Sequence, residues 1–206
     1  LFFTVDSGRH WIQLKSGAPT IPFRDLAIQR REDDLVAATF GRGLYVLDDY
    51  AALRGLTPKT LAEEASLLPP RAARAYNELG YVVAAFGNAT SPNPPFGATL
   101  SYHLREGFPQ DDNHKVVLVI IDAQGKPVRQ ITGPTTPGLH RVQWDLRRSS
   151  QSVGDSESES RGGRSGRRRQ SGSLVEPGKY TITLTKIVDG KETALGETQT
   201  IRVKPL

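Results

Sequence analysis

From Phe96 to Arg105 the side chains alternate without a break: Phe96, Ala98, Leu100, Tyr102 and Leu104 on one side, Gly97, Thr99, Ser101, His103 and Arg105 on the other. A period of two belongs to an extended strand with one wet face, so this run commits the chain to a sheet with a covered side. Val116 to Ile121 is apolar on both faces, as a central strand is. Asp122-Ala-Gln-Gly125 then turns it into Lys126–Ile131. His140, Val142, Trp144 and Leu146 share a face, as do Tyr180, Ile182 and Leu184. Asp189-Gly190 is a strong hairpin signal leading into a last strand through Ile201 and Val203. The predicted core is Leu100, Tyr102, Leu118, Ile120, Val142, Trp144, Tyr180, Ile182, Leu184 and Ile201.

These strands, spread over residues 96–206, have the size of an immunoglobulin-like β-sandwich. One tract interrupts them. Residues 149–173 carry Ser, Gly, Arg and Glu with a single aliphatic side chain, Val153. Such a segment buries too little surface to offset its ordering entropy, so it reads as a disordered loop between two strands.

Residues 1–50 show five shorter strands, Leu1–Val5, His10–Leu14, Phe23–Ile28, Leu35–Phe40 and Leu44–Leu47, separated by Gly- and Asp-rich turns. That pattern fits a propeller blade or meander. Residues 51–95 read as a connector: Thr57-Pro58 is an N-cap with proline at the first helical position, opening a short helix through Glu64 that stops before Pro69-Pro70. The prolines of Asn88-Ala-Thr-Ser-Pro-Asn-Pro-Pro95 lack the donors a regular ladder needs. The expected fold is therefore all-β: one propeller blade plus a partial one, a connector, and the sandwich.

Thr4-x-Asp6-x-Gly8-x-His10-Trp11 resembles the Asp-box, Ser/Thr-x-Asp-x-Gly-x-Thr-Trp, with His10 at the usual threonine. A carboxylate at Asp6 can accept backbone N–H bonds inside a turn, Gly8 can take positive φ, and Trp11 can pack into a blade. Phe23-Arg-Asp-Leu-Ala-Ile28 and Asp34-Leu-Val-Ala-Ala-Thr-Phe-Gly-Arg-Gly-Leu-Tyr-Val-Leu-Asp-Asp49 are similar to the closing blade of bacterial sortilin-like (BNR/Asp-box) propellers. Pro92–Ala98 and Pro137–Arg147 resemble segments C-terminal to that blade in the same family. The terminal module is similar to the immunoglobulin-like domain of flagellar hook-capping proteins in Asp122-x-x-Gly125, Trp144-Asp145 and Pro177-Gly-x-Tyr180. The resemblance implies upstream blades of the same parent chain before Leu1, and a secreted, periplasmic or cell-surface location. It also implies a structural role for Thr4, Asp6, Gly8 and Trp11, because the Asp-box turn lies at the blade periphery.

Composition narrows the chemistry. The chain has no cysteine and no methionine. The first excludes disulfides, thiol catalysis and cysteine zinc sites; the second leads to the expectation that Leu1 is not a translation start. No apolar run reaches a membrane span. The net charge of +5 is mild and partly concentrated in the 149–173 tract, so it is weak support for a nucleic-acid partner.

Candidate chemical groups each have a plainer reading. Asp48 and Asp49 suggest a glycosidase pair, but adjacent strand residues point to opposite faces. Arg42 and Tyr45 are residue types of a sialidase site without its arginine cluster. His10, His103, His114 and His140 lack metal-ligand spacing, and Asp111-Asp-Asn-His114 is too short for a calcium loop. Arg161–Arg169 resembles an RGG segment without aromatics. Asn88-Ala-Thr90 is a chance-grade glycosylation triplet. No catalytic residue, cofactor or metal ligand is assigned. The expected function is accessory binding of extracellular protein or carbohydrate; the alternative is part of a sialidase-like glycoside hydrolase whose pocket lies in other blades.

Overall fold

The computed structural model describes residues 1–14, 17, 20–75, 95–109, 111, 113–149 and 172–205. The arginine run 161–169, almost all of the 149–173 tract, the 88–90 triplet, residues 92–94 and Asp112 lie outside the described residues. The fold is all-β, with two short helices among the described residues.

Two sheets face each other across one core. The larger has the order β10 (Pro127–Gly133), β9 (His114–Ile121), β12 (Gly178–Val188), β13 (Lys191–Lys204) and β7 (Ala73–Arg74). The smaller has the order β11 (Gly138–Trp144), β8 (Ala98–Leu104) and β6 (Ala65–Leu67). The alternation at 96–105 fixes the register: Leu100 pairs with Val142 and Tyr102 with His140, which puts the apolar set inward. Of the predicted core, nine residues are buried and Val142 is half-buried against the same cluster. Trp144 is fully enclosed, its ring edge-on to Tyr180 at 5.4 Å, and its Nε1–H donates to the Arg147 carbonyl. Asp189 and Gly190 take φ of 50° and 77°, closing the β12–β13 hairpin.

Two strands come from the stretch read as connector. Ala65–Leu67 pairs with β8, and Ala73–Arg74 runs parallel to the end of β13. Both are too short to alternate visibly, so the sandwich sheets recruit residues well before Phe96. The helix ends sooner than expected: α2 is Pro58–Ala62, after α1 at Ala51–Arg54. Its N-cap Thr57 and N1 Pro58 are as expected, and the structure adds a capping box, with the Thr57 side chain accepting from Thr60 N–H.

The five N-terminal strands divide into two sheets instead of one meander. β1 (Phe2–Phe3) and β2 (Ile12–Gln13) form a hairpin around the Thr4–Trp11 turn, while β3 (Phe23–Gln29), β4 (Asp34–Thr39) and β5 (Leu44–Leu47) form a three-stranded sheet. Phe3 and Val5 of the hairpin pack with Ala52, Leu56 and Leu68 in a second small core. Leu68 follows β6, so this cluster covers the outer side of the smaller sandwich sheet.

Candidate functional site

The Thr4–Trp11 turn is a closed knot. Thr4 Oγ1 donates to Asp6 Oδ1 at 2.8 Å and accepts the Gly8 N–H at 2.9 Å. Asp6 Oδ1 also accepts the His10 N–H at 2.9 Å, and Oδ2 meets His10 Nδ1 at 2.5 Å. Gly8 takes φ +90°. The backbone and side-chain bonds from His10 hold the Asp6 carboxyl down to about 2, so it stays ionised and fully engaged. That leaves it a turn anchor and no acid or base near neutral pH. Trp11 departs from the expected packing: it is 63% exposed, its ring lying beside Gly8 instead of entering a blade.

A second constellation joins the β3–β5 sheet to the sandwich. Asp33 and Asp34 end the β3–β4 turn; Asp48 and Asp49 follow β5. Asp34 Oδ1 accepts the Asp49 N–H at 3.0 Å, and Asp33 O accepts the Tyr50 N–H at 2.7 Å. From β11, the Arg141 guanidinium donates to the carbonyls of Asp48 and Asp49. Arg71, between β6 and β7, pairs with the Glu32 carboxylate at 3.0 Å and donates to the Glu32 carbonyl. Arg54 pairs with Asp33 at 3.2 Å. Glu32, Asp34, Asp48, Asp49, Arg71 and Arg141 border a cleft of about 750 Å³ that also takes in Arg31, Arg74, Gln143 and Lys204.

Asp49 adopts φ 49° and its carboxylate accepts from Ala51 N–H. Burial pushes its carboxyl above the usual range, against the pull of Arg71 and Arg141. Asp48 and Asp49 thus serve mainly through their backbone, tying a corner. Arg42 sits in the β4–β5 turn and Tyr45 packs edge-on to Phe23 at 6.5 Å; the structure gives them no shared site. Sequence reasoning missed Arg71 and Arg141, since a lone arginine in a loop or on the wet side of a strand looks like a solvated one.

The histidines are dispersed. His114 pairs with Asp111 at 2.6 Å, His140 Nε2 meets the Thr136 carbonyl at 2.6 Å, and its ring stacks on Tyr102. His103 lies on the outer face of β8, where burial lowers its pKa, and its Nδ1 has no hydrogen-bond partner among the described residues. Among the described residues no three His, Asp or Glu side chains converge on a metal position, and no helix is long and apolar enough to cross a membrane. No protein-family model matches the chain, and no curated protein matches its sequence.

Proposed function

We propose that this chain is a non-catalytic recognition and bracing unit: the closing part of a sortilin-like, BNR-type propeller followed by an immunoglobulin-like sandwich, acting outside the cytoplasm on protein or glycan. One observation carries the reading. The β3–β5 sheet is apolar on both faces. Leu26 and Ile28 stand exposed on one side, beside Ala37 and Leu35; Leu44 and Val46 stand exposed on the other, beside Ala38 and Val36. A sheet with two apolar faces is built to lie between two other layers, as a propeller blade lies between its neighbours. The sandwich supplies neither layer. It holds the sheet by its corner through Arg141 and Arg71, which suits a brace.

The location outside the cytoplasm rests on the resemblance alone. Engagement of the Asp6 carboxylate by Thr4 and His10, and of Asp48 and Asp49 through their carbonyls, supports the non-catalytic part. The test is a paired binding and hydrolysis screen of the chain against a panel of neutral and acidic glycans. Binding without turnover is the expected result; release of sugar by the chain itself would overturn it.

A further inference from the structure

The register of the larger sandwich sheet sets cations against cations on its outer face. Lys179 of β12 is the cross-strand partner of Arg202 of β13, and Lys204 of β13 is the partner of Arg74 of β7. The residues beside them, Tyr180, Ile201, Val203 and Ala73, are buried in the core. The four charged side chains therefore stand on the solvent side, and all four are exposed. Every ion pair found among the described residues is made by other groups. Like charges directly opposite one another weaken a sheet. Two such pairs side by side are relieved by an anion lying over them.

The cations continue beyond the strands. Arg74, Arg202 and Lys204 line a shallow groove of about 490 Å³ bounded by Pro177 and Pro205. Arg74 and Lys204 also line the junction cleft, together with Arg31, Arg71 and Arg141. Lys179, Arg202, Lys204 and Arg74 form a track across β12, β13 and β7; the cleft beside it is mixed in charge, with Glu32 paired to Arg31 and Arg71 and with Asp34, Asp48 and Asp49 in its lining.

We propose that this face is the docking surface for a linear acidic polysaccharide bearing carboxylates. An extended chain suits a track, and Arg74 and Arg202 offer planar forks that match carboxylate geometry, with Lys179 and Lys204 as point charges beside them. Single-stranded nucleic acid fits less well, because among the described residues no aromatic side chain lines the groove or the cleft to stack a base. A bilayer surface also fits less well: the large apolar side chains that would enter it are exposed elsewhere, mainly on the hairpin and the β3–β5 sheet. The inference rests on the recognition reading above and names the chemistry of its partner.

The test measures binding of polygalacturonate, dextran, and single-stranded and duplex DNA to three proteins at low and physiological salt. The first is the chain as it stands. The second carries Lys179→Gln, Arg202→Gln, Lys204→Gln and Arg74→Gln, and the third has the same charge loss elsewhere, at Arg24→Gln, Arg42→Gln, Lys59→Gln and Lys191→Gln. Far-UV circular dichroism checks that both variants remain folded. The expected result is polygalacturonate binding that weakens with salt, falls about tenfold in the patch variant and holds in the control, with no binding of dextran. Equal loss in both variants, no polygalacturonate binding, or DNA bound as tightly as polygalacturonate would overturn the proposal. Failure here with a neutral glycan or protein still bound leaves the recognition reading standing; glycan hydrolysis sinks that reading separately.

Discussion

At the scale of single residues, the sharpest constraints are backbone ones. Gly97 takes φ +113°, and a Cβ there would sit 2.0 Å from the Trp144 carbonyl oxygen. Gly97→Ala is expected to lower stability by about 2 kcal/mol or more in denaturant unfolding, since neither the dihedral nor the gap admits a side chain. The Thr4–Trp11 turn carries a pH dependence. Asp6 has a folded-state pKa of about 2 against an ordinary 3.8, so its ionised form supports the turn above the ordinary value. That support fades as pH falls from about 4 towards 2. Carboxyl NMR titration should show the Asp6 inflection near 2, with the His10 amide moving in step. Asp49 runs the other way: its carboxyl is raised by burial, so its contribution favours the folded state in acid and is lost as pH rises through the folded value. Asp49→Asn keeps an acceptor for Ala51 N–H. It is expected to leave stability at neutral pH unchanged within about 1 kcal/mol, or slightly higher, and to flatten the pH profile just above the ordinary aspartate range.

At the scale of elements, legibility in the sequence followed strand length. β8, β11 and β12 were readable because seven to eleven residues give the period of two room to declare itself, and β9 because its unbroken apolar run marks a central strand. β6 and β7 were not: three and two residues of Ala, Ser, Leu and Arg, beside Pro69-Pro70, carry no pattern. The Thr4–Trp11 turn was legible because its donors and acceptors are local. The fate of Trp11 was not, since what a side chain packs against is a tertiary matter. The clasp at the β5–α1 corner was equally hidden, because Arg141 lies 92 residues from Asp49. Arg141→Ala should free that corner, at about 1 kcal/mol for exposed bonds to carbonyls, seen as faster amide exchange in β5 with β8 and β9 unaffected.

At the scale of the molecule, two kinds of surface coexist. The sandwich closes on itself around Trp144, Tyr102 and Ile182, and Trp144→Ala should cost about 3–5 kcal/mol by emptying its centre. The β3–β5 sheet closes on nothing among the described residues; Leu44 is 67% exposed and Phe40 66%. The same chain therefore holds a finished core and an unfinished layer. The proposed role requires that this layer be covered, with the sandwich as its brace. Hydrogen exchange resolved by strand tests it most directly. The account predicts that β3, β4 and β5 exchange through openings much smaller than global unfolding, while β8, β9 and β12 exchange only with it. Protection of β3–β5 equal to that of β9 and β12 would mean that the sheet is complete as it stands, and would contradict the account.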